Sequence, residues 1–129
     1  MRSNRRTDTG PERRLRSELH RRGRRFRKDY RIDVNGMRIQ VDIAFPRARL
    51  AVFVDGCFWH RCPQHASDPV RNSEFWRRKL ERNVERDDQV ALVLGSIGWD
   101  VLRCWEHEAA DQAANRVVAA LRARADTWA

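Results

Sequence analysis

Between Gly56 and His65 the chain reads Gly-Cys-Phe-Trp-His-Arg-Cys-Pro-Gln-His, which packs two thiols, two imidazoles and two large aromatic rings into ten residues. Thiolate and neutral imidazole together prefer zinc, and Cys57, Cys62 and His65 supply three of its four tetrahedral positions. This spacing describes a metal-stapled loop. Two ordinary buried thiols would not explain the nearby histidine. The fourth ligand is open between Cys104 and His107, which fall near the end of the last predicted strand, on opposite faces if the strand runs through. Four protein ligands leave no position for water, so the expected zinc is structural. His60 then stays spare, beside Phe58 and Trp59.

With 3 cysteines, complete disulfide pairing is impossible, and no apolar stretch near the start reads as a secretory signal or a spanning helix. A reducing cytoplasm is the expected setting. Lys+Arg number 27 against 18 Asp+Glu, a net charge of +9, and all but Lys28 and Lys79 of the cations are arginine. Guanidinium forks match phosphate bidentately, so a polyanionic partner follows. A genome that writes arginine for every cation would give a similar composition, so charge alone adds little. The expected organisation is a basic, flexible N-terminus over 1–8 and one domain over 9–129.

Thr9-Gly10-Pro11-Glu12 reads as a helix start, Leu15 and Leu19 as its apolar stripe and Gly23 as its stop. Phe26 to Val34 and Met37 to Phe45 read as strands joined by Asn35-Gly36, the strongest short hairpin signal. In the second, Ile39, Val41 and Ile43 form one apolar row, with Asp42 on the opposite face. Leu50 to Val54 is continuously apolar, as in a strand covered on both faces. A long helix from Asn72 to about Ile97, a strand from Trp99 to Trp105 and a helix from about Ala109 to Arg124 complete the order α-β-β-β-α-β-α. That order predicts a mixed sheet with helices on both faces.

Asp42 and Asp55 fall near the ends of strands expected to be neighbours, where paired carboxylates can hold Mg²⁺ for phosphodiester cleavage. Asp55 before Gly56 also suits a plain turn, whereas aspartate in mid-strand at 42 is disfavoured and needs a reason. Glu12 is either the capping-box partner of Thr9 or an outer carboxylate of that metal. His60 is either a packed loop histidine or a general acid or base. Asp87, in Glu85-Arg86-Asp87-Asp88, is either a solvated helix charge or the partner of an imidazole. Phe58, Trp59 and Trp76 are core residues by default, but two of them lie between metal ligands, and aromatic wedges can enter a base stack.

These blocks resemble the very short patch repair (Vsr) endonucleases, bacterial enzymes that nick DNA at T:G mismatches. The resemblance runs from about Thr9 to Glu108 and is densest at Phe53 to His60, at Glu74-Phe75-Trp76 with Asn83 to Asp87, and at Gly98-Trp99 through Trp105-Glu106-His107. It implies a restriction-endonuclease-like α/β fold and a Mg²⁺-dependent nick 5′ to the mismatched thymine. Asp42 matches the metal-binding aspartate, His60 the water-activating histidine, Asp87 the acid that orients it, and Glu12 an outer glutamate. The main-chain carbonyl of Val54 matches a second magnesium contact, with Asp55 beside it. Phe58, Trp59 and Trp76 match the intercalating aromatics. The structural zinc set maps to Cys57, Cys62, His65 and His107, with Cys104 outside it. The basic N-terminus and first helix, at Arg5, Arg6, Arg13 and Arg14, are expected to grip the DNA backbone.

This chain departs from the family's best-known member at Val54-Asp55, where that member has Thr-His, and in a zinc loop one residue longer between ligands. A shorter C-terminus implies fewer DNA contacts. The implied partners are double-stranded DNA with a T:G mismatch, a cytosine methyltransferase system and mismatch-repair proteins. The expected protein is a monomer in the bacterial cytoplasm, associated with the nucleoid and not with a membrane. Two alternatives stand beside this reading: a structure- or sequence-specific nickase of a modification or defence system, and a non-catalytic zinc-stabilised nucleic-acid-binding module. Simple binding needs none of Asp42, His60 and Asp87.

Overall fold

The computed structural model describes residues 10–56 and 73–128. The chain forms α1 (Gly10–Arg21), β1 (Arg27–Val34), β2 (Met37–Phe45), β3 (Leu50–Asp55), α2 (Ser73–Ser96), β4 (Asp100–Trp105) and α3 (Ala110–Trp128). This is the expected order of elements, with α3 reaching four residues further than its apolar pattern indicates. The strands form one mixed sheet in the order β1-β2-β3-β4. The first two pairings are antiparallel and β3–β4 is parallel. A parallel neighbour demands a crossover, and α2 lies in that connection.

Local chemistry sets the hairpin. Asn35 and Gly36 both take left-handed φ, 51° and 77°, as a two-residue turn between twisted strands requires. Val34 therefore pairs directly with Met37, and the rest of the β1–β2 register follows. At the end of α1, Gly23 also has positive φ, and its N–H and that of Arg24 donate to the carbonyls of His20 and Leu19.

Helices cover both faces of the sheet. On one, Leu15 and Leu19 of α1 and Ala113, Ala114 and Val117 of α3 pack on Ile43, Phe45, Leu50, Val52 and Cys104. On the other, Val90 and Leu94 of α2 pack on Ile39, Val41, Ala44, Ala51 and Phe53. Arg22 ties α1 to α3 by donating to the Asn115 side chain and the Asp111 carbonyl. Among the described residues, no helix is long and apolar enough to cross a membrane.

One expectation is corrected. Ile39, Val41 and Ile43 do not share a face: the first two pack toward α2, and Ile43 packs toward α1 and α3. The change of face falls at Asp42. Across the hairpin register, Tyr30 pairs with Val41 and Lys28 with Ile43, but the intervening Asp29 and Asp42 are not paired in the ladder. Asp29 has φ of 50°, a left-handed residue inside a strand. Asp29 of β1 stands opposite Asp42 of β2, so both strands depart from the regular pleat at the same rung.

Candidate active site

The β2–β3 ladder stops at Ile43↔Val52. Beyond it the Val54 N–H donates to Asp42 Oδ2 at 2.8 Å, so the side chain takes up a main-chain donor that the ladder leaves unused. That bond aims the Asp42 carboxylate at the C-terminal end of β3, where Asp55 follows. Glu12 arrives from α1 on the same stripe as Leu15 and Leu19 and is only 2% exposed. A solvent-facing helix cap would not be so buried. Arg16 Nη1 lies 3.8 Å from its carboxylate.

The Asp42 carboxyl is pushed up to about 7, first by burial, then by the charge of Glu12, with Asp55 and Asp29 adding to it and the Val54 N–H opposing. Four carboxylates thus interact at this end of the sheet. Asp29 escaped the sequence reading. Counting outward from the Asn35-Gly36 turn would have set it opposite Asp42.

This donor set suits a divalent cation. A half-buried carboxylate that keeps a proton near neutrality without a cation gives it up when a hard cation arrives. Among the described residues, no group of three or more His, Cys, Asp or Glu side chains forms a ready-made metal cage. Mg²⁺ rarely needs one, since it is commonly held by one or two carboxylates together with phosphate and water.

Asp55 is 5% exposed and is engaged by Arg103 of β4. Arg103 Nη1 donates to both carboxylate oxygens, at 3.0 and 3.2 Å. Its Nη2 lies 3.6 Å from Asp87 Oδ1 on α2. The guanidinium also sits 4.5 Å from the centre of the Phe53 ring. Asp87 is therefore not a plain solvated charge. It shares an i, i+3, i+7 stripe with the buried Val90 and Leu94 and faces the sheet. Arg103 was also missed, because a single cation in a short strand reads as an edge residue.

Cys104 is 1% exposed in the core, and burial, helped by the charge of Glu108, pushes its thiol up to about 11. Cys104 is packed into the core between the sheet and α1 and α3, whereas His107 is exposed in the turn after β4. Arg13 and Arg14 are exposed on α1. Trp76 lies in the first turn of α2, its side chain outside those described. Arg5, Arg6, Cys57, Phe58, Trp59, His60, Cys62 and His65 lie outside the described residues, and the expected zinc loop with them.

Residues 1–65 match the family model described as DNA mismatch endonuclease Vsr. The chain is 48% identical over 119 residues to the type II nicking enzyme V.NaeI of Lentzea aerocolonigenes, covering 92% of this chain and 72% of that protein. It is 39% identical over 105 residues to the type II nicking enzyme V.XorIIP of Xanthomonas oryzae pv. oryzae, covering 81% and 74%. The DNA mismatch endonuclease Vsr of Escherichia coli (strain K12) is 35% identical over 100 residues, covering 77% of this chain and 62% of that protein. A mixed sheet with acidic side chains gathered around Asp42 near the C-terminal end of β3, in the company of these relatives, defines a DNA endonuclease. The chain belongs to the Vsr family.

Proposed function

We propose that this protein nicks one strand of duplex DNA 5′ to the thymine of a T:G mismatch, by Mg²⁺-dependent hydrolysis of a phosphodiester bond. The observation that carries the proposal is the Asp42 carboxylate, held by the Val54 N–H among Glu12, Asp29 and Asp55. Simple nucleic-acid binding has no use for a buried group of like charges. Asp42 and the Val54 carbonyl would hold the ion, with Glu12 outside them. A Mg²⁺ ion held there would supply Lewis-acid polarisation of the scissile phosphate and a bound water of lowered pKa. His60, oriented by Asp87, takes the proton from the attacking water. Phe58, Trp59 and Trp76 enter the stack, which opens at lower cost at a mismatch than at a matched pair. The exposed Arg13 and Arg14, with Arg5 and Arg6, contact phosphates.

Structural Zn²⁺ is assigned to Cys57, Cys62, His65 and His107. Cys104→Ala is expected to leave one zinc per chain, because Cys104 belongs to the core, while Cys62→Ala lowers zinc content and stability together. Metal analysis of the purified variants checks both.

A second reading is a structure- or sequence-specific nickase attached to a modification or defence system. It draws on the relatives named type II nicking enzymes. Nicking of T:G, fully matched and branched duplexes of the same sequence separates the two. Preference for T:G supports the first reading. Equal cutting of the matched site supports the second.

A further inference from the structure

We infer that Arg103 is a positioning residue for the phosphodiester chemistry, and that Asp55 serves Arg103 and not the metal ion. The inference rests on the metal-dependent reading above and assigns roles within it. Arg103 pairs in register with Phe53 across the parallel β3–β4 ladder. Its side chain crosses that ring and continues toward the strand ends, reaching Asp55 two residues further along β3 on the same face. Ring and carboxylate together fix the guanidinium plane.

Both Asp55 oxygens already accept from one guanidinium nitrogen. A divalent cation on the same carboxylate would sit against a fixed positive charge, which disfavours it. Among the described residues, no arginine is paired with Asp42 in this way. The second terminal nitrogen of Arg103 faces Asp87, so one cation from β4 joins a carboxylate from β3 to a carboxylate from α2. Without it, Asp55 and Asp87 would confront each other as like charges, and Asp87 would lose a constraint on its position. Asp87 is the acid assigned to orient His60, so displacement of Asp87 slows the chemistry and leaves DNA binding largely intact. A lysine could not reproduce the arrangement, having one charged nitrogen where the arginine presents a planar fork.

The test compares wild type with R103M, D55N, the double variant D55N/R103M and D42N. The readouts are the single-turnover nicking rate at saturating enzyme, duplex affinity in EDTA, and Mn²⁺ binding to the DNA-free protein followed by electron paramagnetic resonance. R103M and D55N are each expected to slow nicking by about 10- to 100-fold, the range found for residues that orient metal-site groups. Duplex affinity should stay within about threefold of wild type, and the double variant should be no slower than the slower single, since both changes remove one shared interaction. Mn²⁺ binding should survive in D55N and R103M and weaken in D42N. Wild-type nicking by R103M, multiplied losses in the double variant, or Mn²⁺ binding weakened in D55N as much as in D42N would each overturn the inference. Should R103M fail to fold, the Mn²⁺ affinity of D55N still decides whether Asp55 is a ligand. If D42N binds Mn²⁺ and nicks normally, the metal-site reading fails on its own, and the non-additivity of D55N and R103M still judges the role of Arg103.

Discussion

Replacing Asp42 by asparagine is expected to abolish nicking while making the metal-free protein more stable at pH 8. The loss of activity should reach about a thousandfold or more, because the principal ligand for the cation disappears. The gain in stability follows from proton linkage. The carboxyl titrates near 3.8 when unperturbed and near 7 in the fold, so between those values the folded state binds more protons than the unfolded state. Stability therefore falls as pH rises from about 4 to about 7, and the full penalty applies above that range. The gap caps the penalty at roughly 4 kcal/mol. Asparagine accepts the Val54 N–H without the charge. In thermal melts with EDTA, the variant should gain more over wild type at pH 8 than at pH 5. Adding Mg²⁺ should reverse the order at pH 8, because a ligand that binds only the wild-type fold stabilises only that fold. A variant no more stable than wild type at pH 8 would mean that Asp42 carries no such electrostatic burden.

Among the described residues of α2, Leu94→Ala should be the most damaging truncation. Leu94 is fully buried, and it anchors the stripe that also carries Val90 and Asp87. Emptying that position should cost about 2 to 5 kcal/mol. For a chain of this size the melting temperature should fall by about 10 °C or more. Leu92, two residues away and 74% exposed, provides the contrast. Leu92→Ala should stay within about 0.5 kcal/mol of wild type. Urea unfolding of both variants checks the pair. The destabilised protein should also nick more slowly below its melting range, because Asp87 rides on the same helix. Equal stability of the two variants would show that α2 does not depend on this stripe.

The order of elements was legible because each had a strong local signature. Asn35-Gly36 demanded a hairpin, Leu50 to Val54 a doubly covered strand, and Leu15 with Leu19 a helix with one wet face. Asp42 stood out as an acid in mid-strand. What stayed hidden depended on departures from regular geometry or on contacts distant in sequence. Alternation arithmetic assumes an unbroken pleat, so the change of face at Asp42 and the left-handed Asp29 opposite it could not be read from hydropathy. On spacing alone Glu12 reads as a helix-cap partner, and its burial beside Asp42 favours the site instead. The Asp55–Arg103–Asp87 chain joins three elements separated by up to 48 positions, and no local pattern announces it.

Single-turnover cleavage of an end-labelled duplex carrying one T:G mismatch, against the same duplex with T:A, is the most direct test of the central claim. With Mg²⁺, wild-type protein should cut the T strand alone, immediately 5′ to the mismatched thymine, and EDTA or Asp42→Ala should stop it. Cleavage unaffected by Asp42→Ala, or no cleavage of any duplex with any divalent metal, would contradict the account.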